Sequence, residues 1–312
     1  MRILVTGGAG FIASHVADAY LSLGHEVAVL DNLSTGFRHN VPKKAVFYEM
    51  DILDSEAVAR AFGEFQPEIV NHHAAQMDVR VSLIDPEFDA RTNILGSLRL
   101  ILSSVRFKIK KFIYISTGGA VYGEPASLPV REDHPVNPEC AYGISKHTVE
   151  HYLHLYKSLE GLDYIVLRYP NVYGPRQNPK GEAGVNAIFI DQMLENMPPT
   201  IYGDGEQLRD YVYVGDIAAA NVLAITHGSG EIVNIGSGTG TSVNQIYAAL
   251  AKLLNFQSPP RYAPARPGEI YKVYLDASRA GKILGWKAKV SFEEGLRHTI
   301  EWHRTRVVGQ MV

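Results

Sequence analysis

The chain has 312 residues, 46% hydrophobic and 20% charged, which is enough apolar material for a large core and excludes a disordered polypeptide. Thirty basic residues against 33 acidic ones leave a net charge of −3, with no run of five like charges, so nucleic acid and membrane surfaces are not expected partners. The single cysteine, Cys140, excludes an internal disulfide. No apolar stretch approaches the roughly 18 residues a membrane span needs, and the first strand begins too early to leave room for a signal peptide, so a cytoplasmic protein is expected.

Short β-branched runs alternate with longer amphipathic segments through the first half. Strands are predicted at Ile3–Thr6, Val27–Leu30, Val46–Tyr48, Ile69–His72, Phe112–Ser116 and Tyr164–Leu167. Helices are predicted between them, notably Phe11–Leu23, Ser55–Phe65, Pro86–Val105 and Cys140–Leu159. This order implies an α/β fold with a Rossmann-like, doubly wound parallel sheet. After Arg168, five prolines from Pro170 to Pro199 break the rhythm into loops and short elements that read as a lid. Val233–Ile235 reads as one further buried strand. The expected division is a dinucleotide-binding domain at 1–169, joined by about 215–240, and a smaller, interleaved substrate domain at 170–312.

The turn Thr6-Gly7-Gly8-Ala9-Gly10-Phe11-Ile12 follows the first strand. Gly7 and Gly10 allow a tight turn, and the backbone N–H groups where Phe11 and Ile12 open a helix can meet a pyrophosphate. Asp31 ends the second strand about 20 residues later, where a carboxylate accepts from an adenosine ribose and repels a 2′-phosphate; NAD is favoured over NADP. A turn cap in Asp31-Asn32 is the bland alternative. Asp51-Ile52 is placed to address the adenine edge and its apolar face. His73-Ala74-Ala75-Gln76 follows the fourth strand beside the expected pyrophosphate and nicotinamide ribose. Adjacent residues on extended chain face opposite ways, so His72 and His73 share no ion and no metal is expected in the site.

Tyr142 and Lys146 stand four apart on a predicted helix, and therefore on one face. A nearby cation favours the phenolate, bringing a phenol toward use as a base. Each residue alone is more simply a packed aromatic and a solvated charge.

These motifs, with Ser116-Thr117, Arg168-Tyr169-Pro170-Asn171-Val172-Tyr173-Gly174-Pro175, Gly203 through Tyr211, Val214-Gly215-Asp216-Ile217 and Arg266-Pro267-Gly268-Glu269, resemble the extended short-chain dehydrogenase/reductase family along essentially the whole chain. Within it the chain is similar to nucleotide-sugar 4-epimerases. The resemblance implies NAD as cofactor and a UDP-sugar as substrate, with UDP-glucose and UDP-galactose interconverted through a 4-keto sugar. Separately, the helices Pro86–Val105 and Cys140–Leu159 carry more apolar surface than one sheet face needs, Leu153 and Tyr156 included, so a homodimer on their outer faces is expected, with contact to the second lobe as the bland alternative. The resemblance assigns Tyr142 as base and Lys146 as its partner and ribose ligand, with Asn93 and Pro170 near the nicotinamide. Asn171, Arg209, Arg266 and Glu269 would meet the substrate, the two arginines at the diphosphate, while Ile188, Phe189, Thr200 and Tyr202 would hold uracil and ribose. Arg209 paired with Glu206 or Asp210 is the competing reading.

The chain departs from the pattern at one place. Relatives carry Ser or Thr where ungapped counting puts Gly118, so Thr117, with Ser116 behind it, is expected to take that catalytic role. Related dehydratases carry Thr-Asp-Glu at the same strand end; Gly118-Gly119-Ala120 offers no eliminating acid. Epimerases of UDP-N-acetylglucosamine or UDP-glucuronate remain the nearest alternatives, Val273 being small where glucose-type relatives are bulkier beside the sugar. A non-catalytic NAD-binding protein of the same fold is the rival from another class.

Overall fold

The computed structural model describes residues 1–180, 184–265 and 270–309. Its first half runs β1 (Arg2–Thr6), α1 (Phe11–Ser22), β2 (Glu26–Asp31), β3 (Val46–Glu49), α2 (Ser55–Phe65), β4 (Ile69–His72), α3 (Val79–Ile84), α4 (Pro86–Ala90), α5 (Gly96–Arg106), β5 (Lys111–Thr117), α6 (Ala141–Glu160) and β6 (Tyr164–Tyr169). The second half adds β7 (Asn171–Tyr173), α7 (Val185–Leu194), β8 (Thr200–Tyr202), β9 (Leu208–Tyr213), α8 (Val214–Ala224), β10 (Glu231–Asn234), β11 (Gly240–Ser242), α9 (Val243–Leu254), β12 (Arg261–Ala263), β13 (Lys272–Val273), α10 (Ser278–Leu284) and α11 (Phe292–Gly309).

Seven parallel strands form the main sheet in the order β10-β6-β5-β4-β1-β2-β3. Alternating side chains feed two apolar layers. Ile3, Val5, Val27 and Val29 face α1 and α8, whereas Leu4, Ala28, Leu30 and Val70 face α2, α5 and α6. Both faces are covered, which is why these strands read as continuous apolar runs. Chain order reverses between β1 and β4, and the carboxyl ends of the strands at such a switch point leave a crevice.

The expected single helix at Pro86–Val105 is instead α4, a π turn over Arg91–Leu95, and α5. The widened turn carries Asn93 inward, where its side chain makes bonds to Gln76, Asp89 and Ser145, so local hydrogen bonding overrides the apolar period. Helix α8 was illegible because Val214 to Ala224 is packed on several sides and shows little polar face. The region after Arg168 is more than loops: β7 and β13 flank β9, with β11, in a second small sheet, and α7, α9 and α11 enclose a core around Tyr173, Phe189, Ile246 and Leu296.

One buried ion pair joins α6 to the sheet. Arg168 at the end of β6 makes two contacts with Glu150, Nε to Oε1 at 3.0 Å and Nη2 to Oε2 at 2.6 Å. Ser116 on β5 donates to Glu150 as well. Arg168 Nη1 then donates to the Tyr122 hydroxyl, which donates to Asn234 on β10. Burial works against the Glu150 charge, but bonds from His147, Arg168 and Ser116 hold it down at about 2. Arg168→Met strands that carboxylate and should cost roughly 3–5 kcal/mol, read as a lowered midpoint in urea unfolding. A wild-type midpoint would show that the pair does not anchor α6.

Candidate active site

The glycine turn closes as expected. Gly7 donates to Leu30 O at 2.8 Å, and Gly10 donates to Gly7 O at 2.9 Å. Gly7 has φ of +69°, and a Cβ there would lie 2.8 Å from Ala74 N, so both conformation and space demand glycine. Gly10 is the N-cap of α1 and supplies no side-chain cap, and the first turn holds no acid. The N–H groups at Phe11 and Ile12 thus have no side-chain acceptor at the helix's positive end, which fits an anion such as a pyrophosphate.

Asp31 is buried at the end of β2. Its Oδ2 accepts from Ala9 N at 2.9 Å and Oδ1 from Leu33 N at 2.8 Å. The turn-capping role and a ribose-binding role are compatible, because each carboxylate oxygen keeps a second lone pair. Asn32 donates to Asp51 Oδ2 at 2.8 Å, linking the ends of β2 and β3. Ile52 is buried against the spot where Gly96 lacks a side chain, so most of its surface serves packing.

A relay that the sequence did not disclose crosses the crevice floor. Ser97 donates to Asn93 O at 2.5 Å, so its oxygen is left to accept from His72 Nε2 at 2.9 Å. His72 Nδ1 then accepts from Thr6 at 2.7 Å, while Thr6 Oγ1 also accepts from Ala74 N. Burial and the Lys146 charge push His72 well below the usual imidazole range, in keeping with this neutral tautomer. The relay fastens the glycine turn to the π turn that carries Asn93. Asn93 in turn accepts from Gln76 N and donates to Gln76 O, both at 2.8 Å. Gln76 spends its own amide on Asp78 and Asp89. Ala74 and Ala75 stay half-buried, and His73, pushed down to about 3 by burial and Lys146, has an Nε2 with no hydrogen-bond partner.

Helix α6 starts against the β5–α6 connection. A Cβ on Gly143 would lie 2.5 Å from Ala120 O, so this glycine brings the first helical turn, with Tyr142, close to the chain leaving Thr117. Tyr142 is half-buried and Lys146, one turn on, is buried with its ammonium 4.5 Å from the Tyr114 ring centre. Desolvation lowers the Lys146 amine to about 7, against the favourable fields of Glu150 and Asp89. Glu150 follows Lys146 by four residues, a spacing that makes its influence readable in the sequence afterwards.

Ser116 is committed to Glu150, whereas Thr117 reaches the crevice. A Cβ on Gly119 would sit 3.9 Å from Thr117 Oγ1 and 3.8 Å from Asn171 Oδ1, so those two side chains converge on one open space. Gly118 differs, since a Cβ there would meet Leu275 Cδ1 at 2.4 Å. Pro170 and Asn171 bridge β6 and β7 beside this space.

The proposed substrate residues are more scattered. Arg209, on β9, donates to Leu208 O at 2.9 Å and Tyr271 O at 3.3 Å. Asp210 is engaged by Ser237 and by Leu275 N. Thr200 is half-buried and Tyr202 exposed on β8, and Ile188 is half-buried on α7. Phe189 corrects the expectation: it lies in the core of the second lobe, because the face of α7 that presents it packs on Ile246 and Leu250. Val273 is likewise packed, with Val121, Tyr122 and Leu275. Arg266 and Glu269 lie outside the described residues. Among the described residues no helix is long and apolar enough to cross a membrane.

The model of the NAD dependent epimerase/dehydratase family matches residues 3–236. A putative UDP-glucose 4-epimerase of Methanocaldococcus jannaschii is 46% identical over 300 residues, covering 96% of this chain and 97% of that protein. Among solved structures, UDP-glucose 4-epimerase of Thermotoga maritima with UDP-glucose aligns with a TM-score of 0.97 at 49% identity, over 98% of this chain and 100% of the other. The Thermus thermophilus UDP-glucose 4-epimerase in complex with NAD aligns at 0.93 and 45% identity, over 97% and 99%. A glycine turn at an uncapped helix start, Tyr142 one turn before the buried Lys146 and this likeness along the whole chain lead to one conclusion: the chain belongs to the NAD dependent epimerase/dehydratase family.

Proposed function

We propose that the protein is an NAD-dependent nucleotide-sugar 4-epimerase that interconverts UDP-glucose and UDP-galactose. The observation that supports this reading is Tyr142 one helical turn before the buried Lys146 on α6, whose first turn Gly143 brings against Ala120 in the connection that leaves Thr117. Relatives whose names and bound ligands are UDP-glucose 4-epimerase, UDP-glucose and NAD support it.

The residues fit the cofactor through the uncapped start of α1 and the unpartnered His73 Nε2. The turn from Gly7 to Ile12 and Asp31 would hold the adenosine diphosphate half, and His73 to Gln76, Asn93, Lys146 and Pro170 the nicotinamide side. The chemistry that bound NAD supplies is reversible acceptance of hydride from the sugar C4. Tyr142 takes the 4-hydroxyl proton as a phenolate, favoured by the Lys146 charge, and later gives it back. Thr117 holds the same oxygen by hydrogen bond. Inversion requires the keto sugar to present its other face, and Gly119 leaves the wall between Thr117 and Asn171 free of a side chain. Arg209, with Arg266, would anchor the diphosphate, so binding energy comes from the nucleotide while the sugar turns.

A cytoplasmic homodimer completes the proposal. Ile144, Leu155 and Leu159 form an exposed apolar stripe on α6 opposite Lys146, and Leu95 and Leu102 expose similar surface beside α5. Matched across a two-fold axis, these faces would make a four-helix interface.

Three outcomes test this reading. Tyr142→Phe should lower kcat by about 10²–10⁴ while UDP binding persists, and assay of the purified variant with UDP-galactose decides it; wild-type turnover would remove Tyr142 from the mechanism. Lys146 titrates near 7 when folded and near 10.5 when free. The native chain therefore binds fewer protons across that window, and stability rises with pH through it, the burden being full below 7. Lys146→Met should accordingly raise the urea midpoint of cofactor-free protein below pH 7, flatten the rise above it and abolish turnover. Light scattering should give twice the chain mass, falling to one chain mass in Ile144→Glu/Leu155→Glu.

A further inference from the structure

Helix α6 also carries His147, His151 and His154, whose spacing of four and three places them along one flank of the helix. This flank is turned away from the side where Tyr152 and Tyr156 pack against the core cluster that includes Val149 and Leu153, and it takes no part in the chemistry proposed above. The His147 and His151 rings meet with their Nε2 atoms 3.1 Å apart, their centres 4.6 Å apart and their planes at 70°. His147 Nδ1 lies 2.8 Å from Glu150 Oε2.

Glu150 is held on both oxygens by Arg168 and accepts from Ser116, so it can only accept from His147 as well. In its neutral form His147 therefore carries hydrogen on Nδ1 and turns a bare Nε2 lone pair toward His151. Imidazole nitrogens bind zinc at about 2.1 Å, and two such bonds separated by 3.1 Å subtend an angle of about 95° at a shared ion. That angle suits cis ligands of a first-row ion. A carboxylate behind the first imidazole, fixing its tautomer, is the usual second layer of such a site. Here that carboxylate is itself immobilised by a buried arginine.

We propose that His147 and His151 form a two-imidazole chelate for a divalent first-row transition ion, Cu²⁺, Ni²⁺ or Zn²⁺, with Glu150 orienting His147. Among the described residues no group of three or more His, Cys, Asp and Glu is close enough to hold an ion, so water fills the remaining positions. Nitrogen ligands favour these ions over Mg²⁺, and copper binds most tightly in the usual order. The ion would staple one turn of the helix that carries Tyr142 and Lys146, outside the crevice.

The test uses the NAD-loaded protein and its His151→Ala variant, which leaves the core intact; because His151 lies between Ile144 and Leu155 on the face proposed to pair two chains, both proteins are compared at equal mass by light scattering. Calorimetric titration with Cu²⁺ should find one more equivalent per chain in the wild type than in the variant, with electron paramagnetic resonance reporting two nitrogen ligands for that equivalent. Saturating Zn²⁺ should raise the melting temperature of the wild type more than that of the variant, because a ligand that binds the folded state stabilises it by mass action. Equal stoichiometry and equal shifts in the two proteins would overturn the site, leaving the pair as a shared hydrogen bond. A shift of the same size with Mg²⁺ would also overturn it, since imidazole chelation does not select that ion.

Discussion

Burying the Lys146 ammonium beneath the crevice removes its hydration, and the neighbouring residues are arranged to offset that loss while keeping the amine one helical turn from Tyr142. The Tyr114 ring supplies its negative face at 4.5 Å, and Glu150 and Asp89 supply field from two directions. The amine nevertheless stays far below its ordinary range, so the site retains part of the penalty. A group held in this state responds strongly to any negative charge or phenolate brought beside it. The cost to stability and the capacity for chemistry have the same origin.

Most of the surrounding buried polar groups are paired, His73 Nε2 being among those left over, and those pairs turn the crevice floor into a stiff frame. Thr6, His72, Ser97 and Asn93 form one directed chain in which every donor is used, joining β1 and β4 to the π turn. On the opposite face of the sheet, Asn71 donates to Tyr20 and Asn221, and Asn221 donates to the Tyr169 hydroxyl. These bonds lie where strands end, so they fix the register of the turns that emerge there. Glu150 and Arg168 do the same for α6 at the other edge.

The second lobe is attached by carboxylates that belong to the motifs Gly203–Tyr211 and Val214–Ile217. Asp210 accepts from Ser237 and from Leu275 N, while Asp216 accepts from Lys289 N and Val290 N through Oδ2. Trp286 donates to Asp216 O. Acids in recognisable motifs therefore serve here as joints between segments 27 to 74 residues apart, as burial requires of a charge that must find donors.

Strand placement, the glycine turn, Asp31 and the Tyr142/Lys146 pair were legible in the chain alone, because each depends on local periodicity or on a backbone conformation that few residues adopt. Thr117 and Ser116 were legible only as two choices, and what the tertiary structure adds is that Ser116 is drawn onto Glu150. Phe189 on α7, the π turn at Asn93 and the His72 relay were decided by partners distant in sequence, which no local pattern encodes. Helix α8, which covers the main sheet beside α1, escaped for the related reason that packing on several sides erases the polar face by which a helix is recognised. The sequence by itself thus determined the main-sheet strands and helices with a clear apolar period, and the backbone turn that only glycine can make. Tertiary structure decided which residues meet, because hydrogen-bond partners and shared space exist only once the sheet has brought its strand ends together.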